Sequence, residues 1–243
     1  MSGDTAVIIP AVNEADRIAA TIRAAAALPG VDLVVVVDDG SMDQTGRVAR
    51  ATGARVVRHS RNRGKAAAME TGAEAVRLLD EEDAPPRHLL FLDADLGETA
   101  QAAAPLIEPV RAAKADMTIA VFSTRVKLGG HGLVVRLSKE GIRRATGFRP
   151  AQPLNGQRCL TRAAFEAARP LAHGFGVETA LTIDLLRKGY RIAEVEVEMA
   201  HRATGTDWRA QLHRARQLRD VARALATRDP IVIQNLDKLR PKR

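Results

Sequence analysis

Two aspartates one residue apart, Asp93 and Asp95, follow the apolar run Leu89 to Leu92, and this is the most chemically loaded stretch of the chain. An isolated buried carboxylate is costly, so the pair is expected where a strand leaves the core, facing the crevice at its carboxyl end. Carboxylates there suit a hard cation. Magnesium or manganese is commonly held by one or two carboxylates and completed by substrate phosphates. Capping of the next helix is the plainer reading of the same pair. Asp38-Asp39-Gly40-Ser41 repeats the arrangement after Leu33 to Val37. Lys65, opening a helix, is placed to pair with a diphosphate, because lysine charge and helix N-terminus act together; a solvated surface lysine is the alternative. Further on, Glu178 opens a helix behind the small residues around Phe175, and His201-Arg202 follows an alternating strand.

The elements that must position these residues alternate. Ala6 to Pro10 reads as a strand ended by proline. Asn13 then caps a helix with Glu14 and Asp16 in its first turn and Ile18 and Ile22 on one face. Strands at Leu33 to Val37, Ala54 to His59 and Leu89 to Leu92 are separated by helices from Asp43 to Thr52 and from Lys65 to Leu79. Short connections of this kind predict right-handed crossovers and a mostly parallel sheet covered on both faces. Beyond the acidic pair, Thr99 to Ala113 is helical by composition and Met117 to Phe122 is a strand. The basic, glycine-rich stretch from Ser123 to Gly132 reads as a loop over a ligand or as a long connection. Leu133 to Thr146 is an arginine-rich helix, Gln152 to Arg158 a turn into a strand ending at Thr161, and Glu178 to Lys188 a helix stopped by Gly189. Ala193 to Met199 alternates with period two, which predicts a half-exposed strand, antiparallel or at an edge. Asp207 is placed to cap a last helix, with Trp208, Leu212, Ala215, Leu218 and Leu225 on one side and Arg209, Arg214, Arg216 and Arg223 on the other. That basic side is read as a solvated face, with an anionic membrane surface as the alternative.

Composition narrows the classes of function. A formal net charge of +8 suits anionic partners, but aromatics are only 3% of the residues, which removes the stacking platforms single-strand binders need. Nucleic acid is therefore not expected. Gly64-Lys65 fails as a phosphate loop, since His59 stands where the pattern needs glycine and Ala66 where it needs Ser or Thr. No G-x-G-x-x-G follows the first strand either, which argues against a dehydrogenase. No apolar run approaches a membrane span, and the one cysteine, Cys159, permits no internal disulfide. A cytoplasmic protein is expected.

Ile8-Ile9-Pro10-Ala11-Val12-Asn13-Glu14, Val37-Asp38-Asp39-Gly40-Ser41, Arg61-Asn62-Arg63-Gly64-Lys65 and Phe91-Leu92-Asp93-Ala94-Asp95, in that order, resemble a family-2-type glycosyltransferase of the GT-A fold. Gln152 to Gln157, Gly174 to Glu178 and Ala200-His201-Arg202 are similar to bacterial glucosyl-3-phosphoglycerate synthases, and the same segments to polyprenyl-phosphate glycosyltransferases. Asn155 and Gln157 depart from the glycine and glutamate of the first pattern, Gln152 and Asn155 from the aspartate and serine of the second.

The resemblance implies a GT-A α/β domain with a nucleotide-sugar half over residues 1–122, a smaller acceptor half over 123–228 and a basic tail over 229–243. It implies that Pro10, Asn13, Glu14, Asp39, Ser41, Lys65, Asp93 and Arg202 hold the donor nucleotide. The resemblance further implies that Asp95 and His201 bind a divalent metal, magnesium or manganese, and that Asp95, Lys65 and Glu178 serve transfer. On the same resemblance Arg125, Gly129, Gly130, Asn155, Gly156, Gln157 and Glu178 would face the acceptor. The implied reaction moves a sugar, UDP-glucose being the favoured donor, to a small phosphorylated acceptor such as 3-phosphoglycerate. A peripheral enzyme acting on polyprenyl phosphate at the inner membrane face, a silent nucleotide-sugar-binding protein and a homodimeric state are the alternatives left open.

Overall fold

The computed structural model describes residues 4–123, 132–199 and 208–228, with side chains in the last stretch from residue 216 onward. Seven strands, β1 (Thr5–Ala11), β2 (Val31–Asp38), β3 (Arg55–Arg58), β4 (His88–Phe91), β5 (Met117–Phe122), β6 (Arg158–Leu160) and β7 (Ile192–Val197), form one sheet in the order β3-β2-β1-β4-β6-β5-β7. All pairings are parallel except those of β6, which runs against both β4 and β5. β7 lies at the edge, one of the two expected arrangements, but pairs parallel to β5 rather than antiparallel.

The central strands are apolar on both faces because helices cover both. Along β1, Val7 and Ile9 pack beneath α1 (Ile18–Ala26) and α4 (Ala104–Arg111), while Ala6 and Ile8 pack toward α3 (Lys65–Leu79), α6 (Arg162–Ala168) and α7 (Val177–Arg187). α2 (Thr45–Ala51) joins β2 to β3. A third, smaller core of Val134, Ile142, Ile183, Val221 and Leu225 seals α5 (Gly132–Thr146) and α8 (Trp208–Ala226) against α7. Gly72 lets α3 lie directly on Ile8, where any Cβ would collide with that side chain. The close approach brings Lys65 to the carboxyl ends of the strands.

Several boundaries differ from expectation for local reasons. Asn13 does not cap α1, whose N-cap residue is Arg17. Its backbone is left-handed at φ 56°, and its side-chain oxygen accepts from the Met42 N–H while its own N–H donates to Ser41 Oγ. Asn13 is thus a stitch between two strand-end loops. The helix expected from Thr99 to Ala113 is instead a 3-10 segment, Gly97–Ala103, running into α4, which holds Pro105 in its first turn and ends at Arg111. α6, N-capped by the Thr161 hydroxyl, was not foreseen. The proposed Asp207 cap and the outward residues up to Arg214 lie outside the described side chains. Among the described residues no helix is long and apolar enough to cross a membrane.

Candidate functional site

A cavity of about 550 Å³ opens at the carboxyl ends of the strands, with Pro10, Asp39, Lys65, Asp93, Leu154 and Glu178 among its walls. Its floor is a three-residue contact. Lys65 Nζ, from the first residue of α3, lies 2.7 Å from Asp93 Oδ1 beyond β4 and 3.0 Å from Glu178 Oε1 in the first turn of α7. Burial alone would lower the lysine pKa, but the adjacent Asp93 and Glu178 carboxylates override it and hold the ammonium above the ordinary lysine range. Gly156 closes over this contact; a Cβ there would collide with Lys65 Nζ and press on the Asp93 carboxylate.

Asp39 supports the lysine from behind. It is 4% exposed, and its oxygens accept from the backbone N–H of Arg63 at 2.8 Å and of Gly64 at 2.8 Å, with His59 Nδ1 at 2.7 Å from Oδ1. His59 Nε2 in turn meets Thr71 Oγ1 at 3.0 Å. Two loop amides that no helix turn satisfies are therefore taken up by one carboxylate, which fixes where α3 begins. Asp38, fully buried, accepts from the Ser41 N–H and faces Arg58 at 3.4 Å.

The remaining donor-side candidates sit around this crevice. Pro10 lines the main cavity, whereas Asn13 and Glu14 border a smaller cleft beside Arg17. The Glu14 N–H donates to Thr45 Oγ1, Ser41 is buried as the partner of Asn13, and Arg17 Nη1 donates to the Asp95 carbonyl oxygen at 3.1 Å. Capping does not explain the acidic pair: the N-cap residue of the 3-10 segment is Leu96, which makes no side-chain cap. Asp93 lines the main cavity and Asp95, two residues on, is likewise half-buried; carboxylate oxygens of this kind fit a hard cation completed by phosphates. Among the described residues no group of three or more His, Cys, Asp or Glu side chains is arranged to hold a metal ion. His201 and Arg202 lie outside the described residues, as do Arg125, Gly129 and Gly130.

On the acceptor side, Asn155 Oδ1 accepts from the Gln157 N–H at 3.0 Å and Asn155 Nδ2 donates to Gln152 Oε1 at 3.3 Å. Gln157 is fully buried, and its side-chain amide has no hydrogen-bond partner among the described residues. Sequence reasoning passed over Arg158, which is 1% exposed. Its guanidinium donates to the carbonyls of Asn155 (2.9 Å), Pro153 (2.9 Å) and Glu178 (3.1 Å) and to Thr182 Oγ1 (2.9 Å). Burial lowers its pKa to about 10, against the pull of the Glu178 and Glu194 charges. One buried cation thus joins the turn carrying Gly156 to the helix carrying Glu178. An arginine directly after a polar turn reads as surface, and only the carbonyls that the fold converges on it reveal otherwise.

The chain matches the model for glycosyl transferase family 2 over residues 6–157. It is 28% identical over 202 residues to an uncharacterised protein of Methanocaldococcus jannaschii, covering 79% of each chain. To the glycosyltransferase AglJ of Haloferax volcanii it is 29% identical over 205 residues, 83% of this chain and 64% of that one, so it spans just under two thirds of AglJ. Among solved structures it is similar to glucosyl-3-phosphoglycerate synthase from Mycobacterium tuberculosis in complex with Mn2+, uridine diphosphate and phosphoglyceric acid. The TM-score is 0.75 at 28% identity, covering 93% of this chain and 78% of that one. The same synthase with Mg2+ and uridine diphosphate gives a TM-score of 0.71 at 27% identity, covering 93% and 79%. The seven-stranded sheet with helices on both faces is the GT-A architecture of these structures.

Proposed function

The chain belongs to glycosyl transferase family 2, and on that premise we propose that it transfers glucose from UDP-glucose to a small phosphorylated acceptor of the 3-phosphoglycerate kind. The observation that carries this reading is the Lys65 ammonium, held at the N-terminus of α3 between Asp93 and Glu178 inside the cavity. The similar synthase, solved with UDP-glucose and phosphoglyceric acid, supports the choice of substrates.

The glycosyl C–O bond breaks with its electron pair passing to the diphosphate, and an acceptor oxygen forms the new bond while its proton passes to the departing diphosphate or to solvent. Negative charge appears on the leaving diphosphate. Lys65 and the N-terminus of α3 are preorganised to meet that charge as it develops, which is where electrostatic catalysis is most effective. Asp95 and His201 would hold a divalent cation that neutralises the same diphosphate. Pro10, Asn13, Glu14, Asp39, Ser41, Asp93 and Arg202 make up the nucleotide side. Arg125, Gly129, Gly130, Asn155, Gly156 and Gln157 make up the acceptor side. Glu178, nearly buried and paired with Lys65, orients the acceptor.

The decisive experiment incubates the full chain with Mn2+ and a panel of UDP- and GDP-sugars and measures released nucleotide with and without 3-phosphoglycerate. UDP release that rises with the acceptor is the expected result. Binding of UDP-sugars without turnover on 3-phosphoglycerate would overturn that acceptor, and the same result with polyprenyl phosphate added would replace the enzyme reading with that of a silent binding protein.

A further inference from the structure

A second cavity, of about 480 Å³, opens beside the first, and Leu154 and Gln217 line both. α5 is the shared wall. Val134 faces the first cavity, whereas Val135, Arg136 and Lys139 line the second. Ser138, next to Lys139, is buried and hydrogen-bonded at 2.7 Å to Thr179, the residue after Glu178. The two cations are therefore tied through adjacent residues to the helix that presents Glu178 to Lys65.

Charge use along α5 is uneven. Arg143 and Arg144 are both committed to Glu140, which they hold well below the usual carboxylate range. Arg136 and Lys139 make no ion pair or hydrogen bond among the described residues, and beside them Phe122, Val135 and Leu154 are apolar. On the glycosyltransferase reading Lys65 serves the donor diphosphate in the first cavity, so a pair of uncommitted cations next door calls for a second anion. We infer that this cavity binds the phosphate monoester of the acceptor, with Arg136 and Lys139 as its ligands; the inference rests on the glycosyltransferase reading above. A phosphate monoester carries about −1.5 to −2 charges at neutral pH. The arginine fork can grip two of its oxygens while the lysine acts as a point charge. Leu154 and Gln217 are the residues common to that cavity and the one that holds Glu178.

The test uses the double variant Arg136→Ala, Lys139→Ala of the full chain, at helix positions that alanine occupies well. Calorimetry measures 3-phosphoglycerate and farnesyl phosphate binding with Mn2+ and UDP present, and UDP binding separately. The expected result is that at least one phosphate ester binds the unaltered chain, and that the double variant weakens it about 10-fold or more, in keeping with loss of charge-assisted hydrogen bonds. UDP binding should not change. Stronger binding of 3-phosphoglycerate identifies a soluble acceptor, and stronger binding of farnesyl phosphate a lipid one. If neither ester binds, or if the double variant binds them as the unaltered chain does, the subsite is overturned. Loss of ester binding in the double variant of a chain that never binds UDP would instead sink the donor reading and leave the subsite standing.

Discussion

At Lys65 three separate demands meet on one atom: a positive charge, a helix N-terminus, and two carboxylates at 2.7 and 3.0 Å. Replacing it with methionine leaves most of the volume and removes the charge. Lys65→Met should lower acceptor-dependent UDP release about 100-fold or more, the scale of losing one preorganised electrostatic donor, with UDP affinity measured in parallel. Its raised pKa also has a sign. A lysine held above its unfolded value contributes pairing that is fully present below about pH 10.4 and is lost only as pH rises through the higher folded value. Any alkaline fall in the rate of the unaltered enzyme between pH 7 and 9 should therefore persist in Lys65→Arg. Asp95→Ala, by contrast, opens no core cavity. It should abolish metal-dependent turnover while costing far less stability than the roughly 2 to 5 kcal/mol of a large-to-small core change; an unchanged Mn2+ requirement would refute the assignment. These residues were legible because a buried apolar run ending in carboxylates has few places to go. Gln157 was legible only as part of a pattern, and nothing in its type announced that the amide would be fully buried.

Between residue and fold stands the turn from Gln152 to Gln157, held by its neighbours as well as by the internal hydrogen bonds of Asn155. Glu194 of β7 accepts from the backbone N–H of Ala151, and Arg158 of β6 takes the carbonyls of Pro153 and Asn155. Arg158→Met keeps apolar bulk but leaves the carbonyls of Pro153 and Asn155 without their donor, whereas that of Glu178 keeps the Thr182 hydroxyl. Each unsatisfied buried group costs about 1 to 3 kcal/mol, so the urea midpoint should fall by an amount equivalent to about 2 kcal/mol or more. Gly156→Ala acts on the same turn differently. The added methyl meets the flexible end of Lys65, so stability should change by less than about 1 kcal/mol while UDP release falls about 10-fold or more, because small displacements of a positioned group are costly to rate. A variant equally impaired in both measurements would show that the turn, not the lysine, had moved. The strands and the start of α3 were legible from hydrophobic runs and breakers, and Lys65–Leu79 was bounded as expected. α6 was not, because RAAFEAA is too short and alanine-rich to show a helical stripe. The start of α1 was misplaced because Asn13 found partners 28 and 29 residues away that local capping rules cannot see.

At the scale of the whole molecule, the division at residue 122 drawn from sequence cuts through the sheet. β5 ends at Phe122, yet its two partners are β6 and β7, both of which come later in the chain. β4 likewise needs β6 on one side. A fragment of residues 1–122 would carry β5 with neither neighbour, so its backbone groups and the apolar faces of Met117, Ile119 and Phe122 would lose the contacts that bury them. The nucleotide half should therefore not fold by itself. The reversed strand β6 is what joins the halves, and Arg158 places a buried cation at that joint. Cooperative unfolding of the full chain follows: urea transitions followed by far-UV circular dichroism and by fluorescence of the single tryptophan, Trp208, should coincide. Fragment 1–122 should show no sigmoidal transition. Two separated transitions in the full chain, together with a cooperatively folded fragment, would establish the two halves as independent units and overturn the reading that β6 joins them into one cooperative fold.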